Sequence, residues 1–145
     1  MEIKLNKVHT GKDLLISAII LAAGIGLYFV NAALGIFIAV CGLLMLLLYK
    51  SGFKREGEDT LLEKKALDIA HSCRQSVMEF LGGKDVEPDI DKNVAGGVIR
   101  IEAYYNAAEK VAYVQLYDFS NYTYEAATGL VELRGERASK LISKL

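Results

Sequence analysis

The chain has no tryptophan, one proline, two cysteines and two histidines. Cys41 falls in an apolar run and Cys73 in the polar part, so the pair forms no disulfide framework and suits a reducing compartment. With two histidines and one cysteine inside that run, no standard zinc set can be assembled. His71 and Cys73 are two residues apart on a predicted helix and point nearly opposite ways. Neither a Walker motif nor a glycine-rich dinucleotide fingerprint is present, and neither internal repeats nor low-complexity tracts occur. Charge is missing altogether from residues 14–49, where only Ser17, Asn31 and the glycines interrupt apolar and tyrosine side chains. Without Asp, Glu, Lys, Arg or His in the run there is no candidate ion relay or gate, which argues against a pump or gated channel. Excess positive charge is lacking too. Residues 50–145 hold fourteen Lys and Arg against sixteen Asp and Glu, a formal charge of −2. Nucleic acid binding needs clustered basic excess, so nucleic acid is not expected as a partner.

What is present is organised around the charge-free run. As one helix it would be about 54 Å long, against a hydrocarbon core of about 30 Å. Two short spans with a tight turn at Asn31 fit better, so a transmembrane helical hairpin is expected over 14–30 and 32–49. Backbone groups must pair internally at that depth, which excludes a looser connection. Ala18, Ala22 and Gly26 in the first span, and Gly35 and Ala39 in the second, form small-residue rows suited to close helix packing. That packing is either within the hairpin or between copies in a homo-oligomer. Lys4, Lys7 and Lys12 precede the spans, and Lys50, Lys54 and Arg55 follow them. The positive-inside rule then puts both termini in the cytoplasm at an inner (plasma) membrane. A secretory signal peptide cleaved at Val30-Asn31-Ala32 is the competing reading, but the mature chain would then open on another apolar run.

The organisation expected is a basic lead-in (1–13), the hairpin (14–49), a flexible juxtamembrane linker (50–59) and a cytoplasmic α+β domain (60–145). Its elements run α-β-β-β-(β)-α around an antiparallel sheet. Thr60 and Glu63 read as a capping box opening a helix over 60–81, with Leu62, Ala66, Ile69, Ala70, Cys73, Val77, Phe80 and Leu81 on one stripe. Gly82-Gly83 ends it. Asp85, Glu87, Asp89 and Asp91 resemble the start of a calcium loop, but Ile90 and Gly96 occupy the positions that require Gly and Glu. A solvated loop is expected there.

Residues 98–105 and 110–117 alternate as a hairpin around a turn at 106–109. Pairing Tyr105 with Lys110 sets Ile101 opposite Val114, Ala103 opposite Ala112 and Ile99 opposite Leu116. A turn at 118–121 and a third strand over 122–126 follow. Residues 130–134 fit either a fourth strand or a helix start, and 136–145 forms a final helix. On this register Tyr104, Tyr113, Tyr117, Tyr122 and Tyr124 gather on one outer face, a candidate partner surface. The competing reading is that a helix covers it. With no activated nucleophile or acid–base pair legible, no enzyme activity, cofactor or metal is expected.

The expectation is a small integral membrane protein whose partners are the bilayer and another protein. It would act as a membrane-tethered interaction module: an assembly factor, an immunity-type inhibitor or a regulatory subunit. The alternative is a homo-oligomeric structural protein or passive pore. A headgroup-directed hydrolase or transferase is a third, minor reading and requires a pocket with convergent polar groups.

Overall fold

The computed structural model describes residues 3–93 and 97–145. Residues 1–2 and 94–96 lie outside the described residues, and with them the start of the basic lead-in and the acidic loop's Gly96. The chain divides into two compact units, Asn6–Lys54 and Met1–Leu5 with Arg55–Leu145. Four helices and an antiparallel sheet are present among the described residues.

In the first unit, helix α1 (Gly11–Tyr28) and helix α2 (Ala32–Leu48) are joined through Asn31, as the sequence predicts. Asn31 caps α2 by accepting the Leu34 N–H at 3.2 Å, one of the donors a helix start leaves unpaired. A capping box opens α1. The Thr10 hydroxyl accepts the Asp13 N–H, and the Asp13 carboxylate accepts the Thr10 N–H. Asp13 also accepts the Ser51 N–H at 2.8 Å and the Ser51 hydroxyl at 2.6 Å. His9 donates through Nδ1 to the Tyr49 carbonyl at 2.7 Å. These bonds tie the two chain ends of the unit together. Strands β1 (Leu5–Val8) and β2 (Gly52–Arg55) pair beside them. The flexible linker expected over 50–59 is therefore part strand: the paired backbone groups of β2 hold it.

The seam between α1 and α2 runs through Ser17, Gly24, Gly35 and Gly42, all buried. A Cβ at Gly24 would overlap the Ala39 backbone, one at Gly35 the Tyr28 backbone, and one at Gly42 would sit 2.6 Å from the Leu21 amide nitrogen. Gly35 and Ala39 thus lie where close packing requires small residues. Ala18, Ala22 and Gly26 stand on the exposed side, and nothing approaches Gly26 within 4 Å. Among the described residues only α1 has the length and apolar composition to cross a membrane; α2, with 17 residues, is a shorter apolar helix.

The second unit is α+β. Strands β3 (Glu63–Ala70), β4 (Val98–Asn106), β5 (Val111–Ser120) and β6 (Thr123–Ala126) pair in that order, and β7 (Val131–Arg134) pairs with the other half of the β5 edge. Helices α3 (Arg74–Leu81) and α4 (Glu136–Lys144) pack on one face. Beneath them lie Ile69, Ile99, Ile101, Ala103, Val114, Leu116 and Leu133, capped by Val77, Phe80, Ala138 and Leu141. Each large aliphatic side chain buried there contributes about 1.5–3 kcal/mol.

Three sequence expectations change here. The helix predicted over 60–81 forms only from Arg74, after a short 3-10 turn at His71–Cys73; its first half is strand β3. All eight residues of β3 pair with β4, from Glu63 opposite Tyr105 to Ala70 opposite Val98. That ladder outweighs a helix propensity that is only a weak prior, and Glu63 enters the strand rather than a capping box. Secondly, the β4–β5 register is shifted by two residues: Ile101 faces Leu116, Ala103 faces Val114 and Tyr105 faces Ala112. Asn106 joins the strand, with its amide donating to the Leu61 carbonyl and its Oδ1 accepting the Glu109 N–H. An even shift keeps every side chain on its predicted face. Lastly, β5 continues through Ser120, so the turn falls at Asn121 and Tyr122, both left-handed at φ 51° and 61°. Residues 131–134 are strand, and Gly135 at φ 69° starts the last helix.

Gly42→Leu places a side chain against the Leu21 backbone and is expected to destabilise the helical unit by at least about 2 kcal/mol. Gly26→Ala, facing open space, is expected to be neutral. Thermal unfolding in detergent, followed by helical circular dichroism, checks both.

Candidate functional site

Strand alternation gives the sheet of the second unit a helix-covered face and an opposite one. The opposite face carries Lys64, Ala66 and Asp68 from β3, and Arg100, Glu102 and Tyr104 from β4. From β5 it takes Val111, Tyr113, Gln115, Tyr117 and Phe119, from β6 Tyr124, and from β7 Glu132 and Arg134. Four of the five predicted tyrosines therefore share this face, as the even register shift requires. The fifth, Tyr122, sits on the β5–β6 turn and is 95% exposed.

The face has two halves with different chemistry. At the β7 end, Tyr113 is fully buried. Its hydroxyl accepts from Arg55 Nη1 at 3.4 Å and Arg134 Nη2 at 3.2 Å, and donates to Glu58 Oε2 at 3.2 Å. Arg55 also pairs with Glu132 at 3.0 Å and lies 5.5 Å from the Tyr113 ring centroid. Arg134 bonds Glu58 at 2.9 Å, and its Nε pairs with Glu132. Residues 55–58 thus form a strap held over the sheet by five polar side chains. Tyr113 belongs to this internal packing, not to a free surface; separations of 55 or more residues in sequence hide the strap from local pattern reading.

The ionisation states follow from the packing. Burial pushes the Tyr113 phenol up. The bond to Arg134, then the charge of Arg55, holds Glu132 below the usual carboxylate range. The hydrogen bond to Tyr113 raises the already cationic Arg55 further, and Glu132 does the same for Arg134.

The other half is not covered by α3 or α4. Tyr104, Tyr117 and Tyr124 are partly exposed there, and Phe119 is 43% exposed. The Arg100 guanidinium lies 3.9 Å from the Tyr124 ring centroid and bonds Asp68 at 3.0 Å; the Tyr124 hydroxyl donates to the same Asp68 oxygen at 3.2 Å. The Phe119 and Tyr124 rings meet at a tilt of 52° with centroids 5.0 Å apart, and Tyr117 donates to Gln115 at 2.9 Å. Partial burial raises the phenols of Tyr104 and Tyr117. Tyr117, Phe119 and Tyr124 are thus held by neighbours within the sheet.

Other clefts offer less chemistry. A cavity of about 290 Å³ at the end of the β4–β5 hairpin is lined by Leu61, Glu63, Tyr105, Asn106, Ala107 and Ala108. It brings no nucleophile next to a base. No metal-sized cluster of His, Cys, Asp and Glu occurs among the described residues. Cys73 is buried and accepts the Asp91 N–H through Sγ, while His71 is exposed. Comparison with protein-family profiles, curated proteins and solved structures finds no match to this chain.

Tyr113→Phe removes the hydroxyl on which both arginines and Glu58 converge and is expected to lower stability by about 1 kcal/mol. Denaturant unfolding of the full chain in detergent measures it. Because the Glu132 pKa is depressed on folding, its stabilisation is present above the ordinary glutamate value of 4.5 and is lost progressively as pH falls through the folded value. Asp118, depressed by its bond to Arg74, adds a loss of the same sign. Glu132→Gln is therefore expected to flatten, without abolishing, the fall in denaturant midpoint between pH 6 and about pH 3.

Proposed function

We propose that this chain is a small integral membrane protein whose α+β unit is a membrane-tethered protein-interaction module. The observation that carries the reading is the divided sheet face: one half closed by its own strap, the other presenting the half-buried Tyr104, Tyr117 and Tyr124 and the exposed Phe119. Tyrosines on a rigid sheet give large contact area at low entropic cost. The membrane part of the reading is supported by the helical unit. Apart from Leu61, Phe119 and Tyr122, all the exposed large apolar side chains of the described chain lie on it or at its ends. Both α1 and α2 then enter the bilayer as a hairpin, with the lysine-flanked chain ends in the cytoplasm. Tethering raises effective concentration at the membrane, and the role is that of an assembly factor, immunity-type inhibitor or regulatory subunit.

A second reading has its own observation. Ala18, Ala22 and Gly26 form an exposed row outside the α1–α2 seam, suited to close approach by a second hairpin. On this reading the protein is a homo-oligomeric scaffold or passive pore.

Gentle detergent extraction of the tagged chain from its native membrane, followed by mass and composition analysis, separates the two. The module reading expects a stoichiometric second protein, lost by at least about tenfold in Tyr117→Ala/Tyr124→Ala while the fold persists. Capture unchanged by that variant overturns the tyrosine face. The scaffold reading expects a self-assembly broken by Ala22→Leu/Gly26→Leu, and an oligomer indifferent to those changes rejects the row.

A further inference from the structure

The two ends of the helical unit differ in charge. The turn from Phe29 to Asn31 carries none. At the other end, Lys7 lies on β1, Lys12 in the first turn of α1, Lys50 just beyond α2 and Lys54 on β2. The β1–β2 pairing, the His9–Tyr49 bond and the Asp13–Ser51 bonds hold these segments together. Lys7, Lys12 and Lys50 are exposed and Lys54 is half-buried.

Asp13 is the only carboxylate between Asn6 and Lys54. It is 3% exposed, and its oxygens are engaged by Thr10 and Ser51. None of the four ammonium groups forms an ion pair among the described residues. In the sheet unit, by contrast, Lys64, Lys84 and Lys144 each lie within 4.0 Å of a carboxylate. A solvated face normally intersperses both signs; here four lysines stand on the joined segments at one end of the helical unit, and the one acid within that unit is sequestered.

We infer that Lys7, Lys12, Lys50 and Lys54 form a collar that binds anionic phospholipid headgroups. The inference rests on the membrane reading above and adds to it a lipid preference. The phosphates lie among the ammonium groups, and the acyl chains run along the exposed apolar sides of α1 and α2. Lysine is a compact point charge without the planar fork of arginine, so the collar selects by headgroup charge, not by stereochemistry. Its attraction is screened by salt.

The full chain, reconstituted in phosphatidylcholine vesicles doped with spin-labelled phosphatidylglycerol or spin-labelled phosphatidylcholine, gives the test. Electron paramagnetic resonance reads the fraction of each lipid immobilised at the protein. The collar predicts a preference for phosphatidylglycerol of about fivefold or more, the factor one effective lysine supplies at an anionic surface. It predicts collapse of that preference in about 1 M salt and in K7Q/K12Q/K50Q/K54Q, with immobilised phosphatidylcholine retained as proof of insertion. Equal immobilisation of the two lipids by the unmodified chain overturns the collar and leaves the hairpin reading standing. A preference that survives the four substitutions also overturns it. Immobilisation of neither lipid overturns the membrane reading and the collar together.

Discussion

Backbone hydrogen bonding along β5 is the interaction on which the sheet unit depends. One edge of this strand pairs with β4, and the other is shared by β7 at its start and β6 at its end. Ala112, Val114 and Leu116 thereby project into the core, and Tyr113, Gln115 and Tyr117 to the opposite side. The contacts of Tyr113, Tyr117 and Tyr124 on the tyrosine face inherit their positions from that pairing, while the Arg100–Asp68 bond follows the β3–β4 ladder.

The helical unit obeys a different constraint. Its outer surface is apolar, so burial of apolar area cannot by itself select which sides of α1 and α2 meet. Backbone proximity does so: Gly24, Gly35 and Gly42 are the places where no Cβ fits. At the open end the selection is polar, through Asp13 and Ser51. Steric fit at one level and hydrogen bonding at another define a single pairing of two otherwise featureless helices.

These differences explain what was legible in the sequence. The break at Asn31 is readable because a charge-free run of that length is too long for one span and has one good turn residue near its midpoint. The β4 and β5 faces and α4 are readable because their apolar periodicity contrasts with polar neighbours. The seam is not, since a helix apolar on every side has no contrast, and the small row at Ala18, Ala22 and Gly26 looks as suitable as Gly24. Strand β3 misleads because Leu62, Ala66, Ile69 and Ala70 satisfy helical spacing while the deciding partner, β4, lies some thirty residues away. The tyrosine face is legible as a face, but its division is not. Nothing local to Arg55 or Glu58 announces Tyr113, and the strap exists only once β5 and β7 have paired.

That division has a genetic consequence. Tyr113 and Tyr117 are separated by four residues on the same side of one strand, yet they answer to different demands. Substitutions at the first disturb the bonds to Arg55, Glu58 and Arg134, whatever the polypeptide meets. On the interaction-module reading, those at the second are judged by what it meets. Descendants of this chain that exchanged partners would then diversify at Tyr117 while holding Tyr113 fixed.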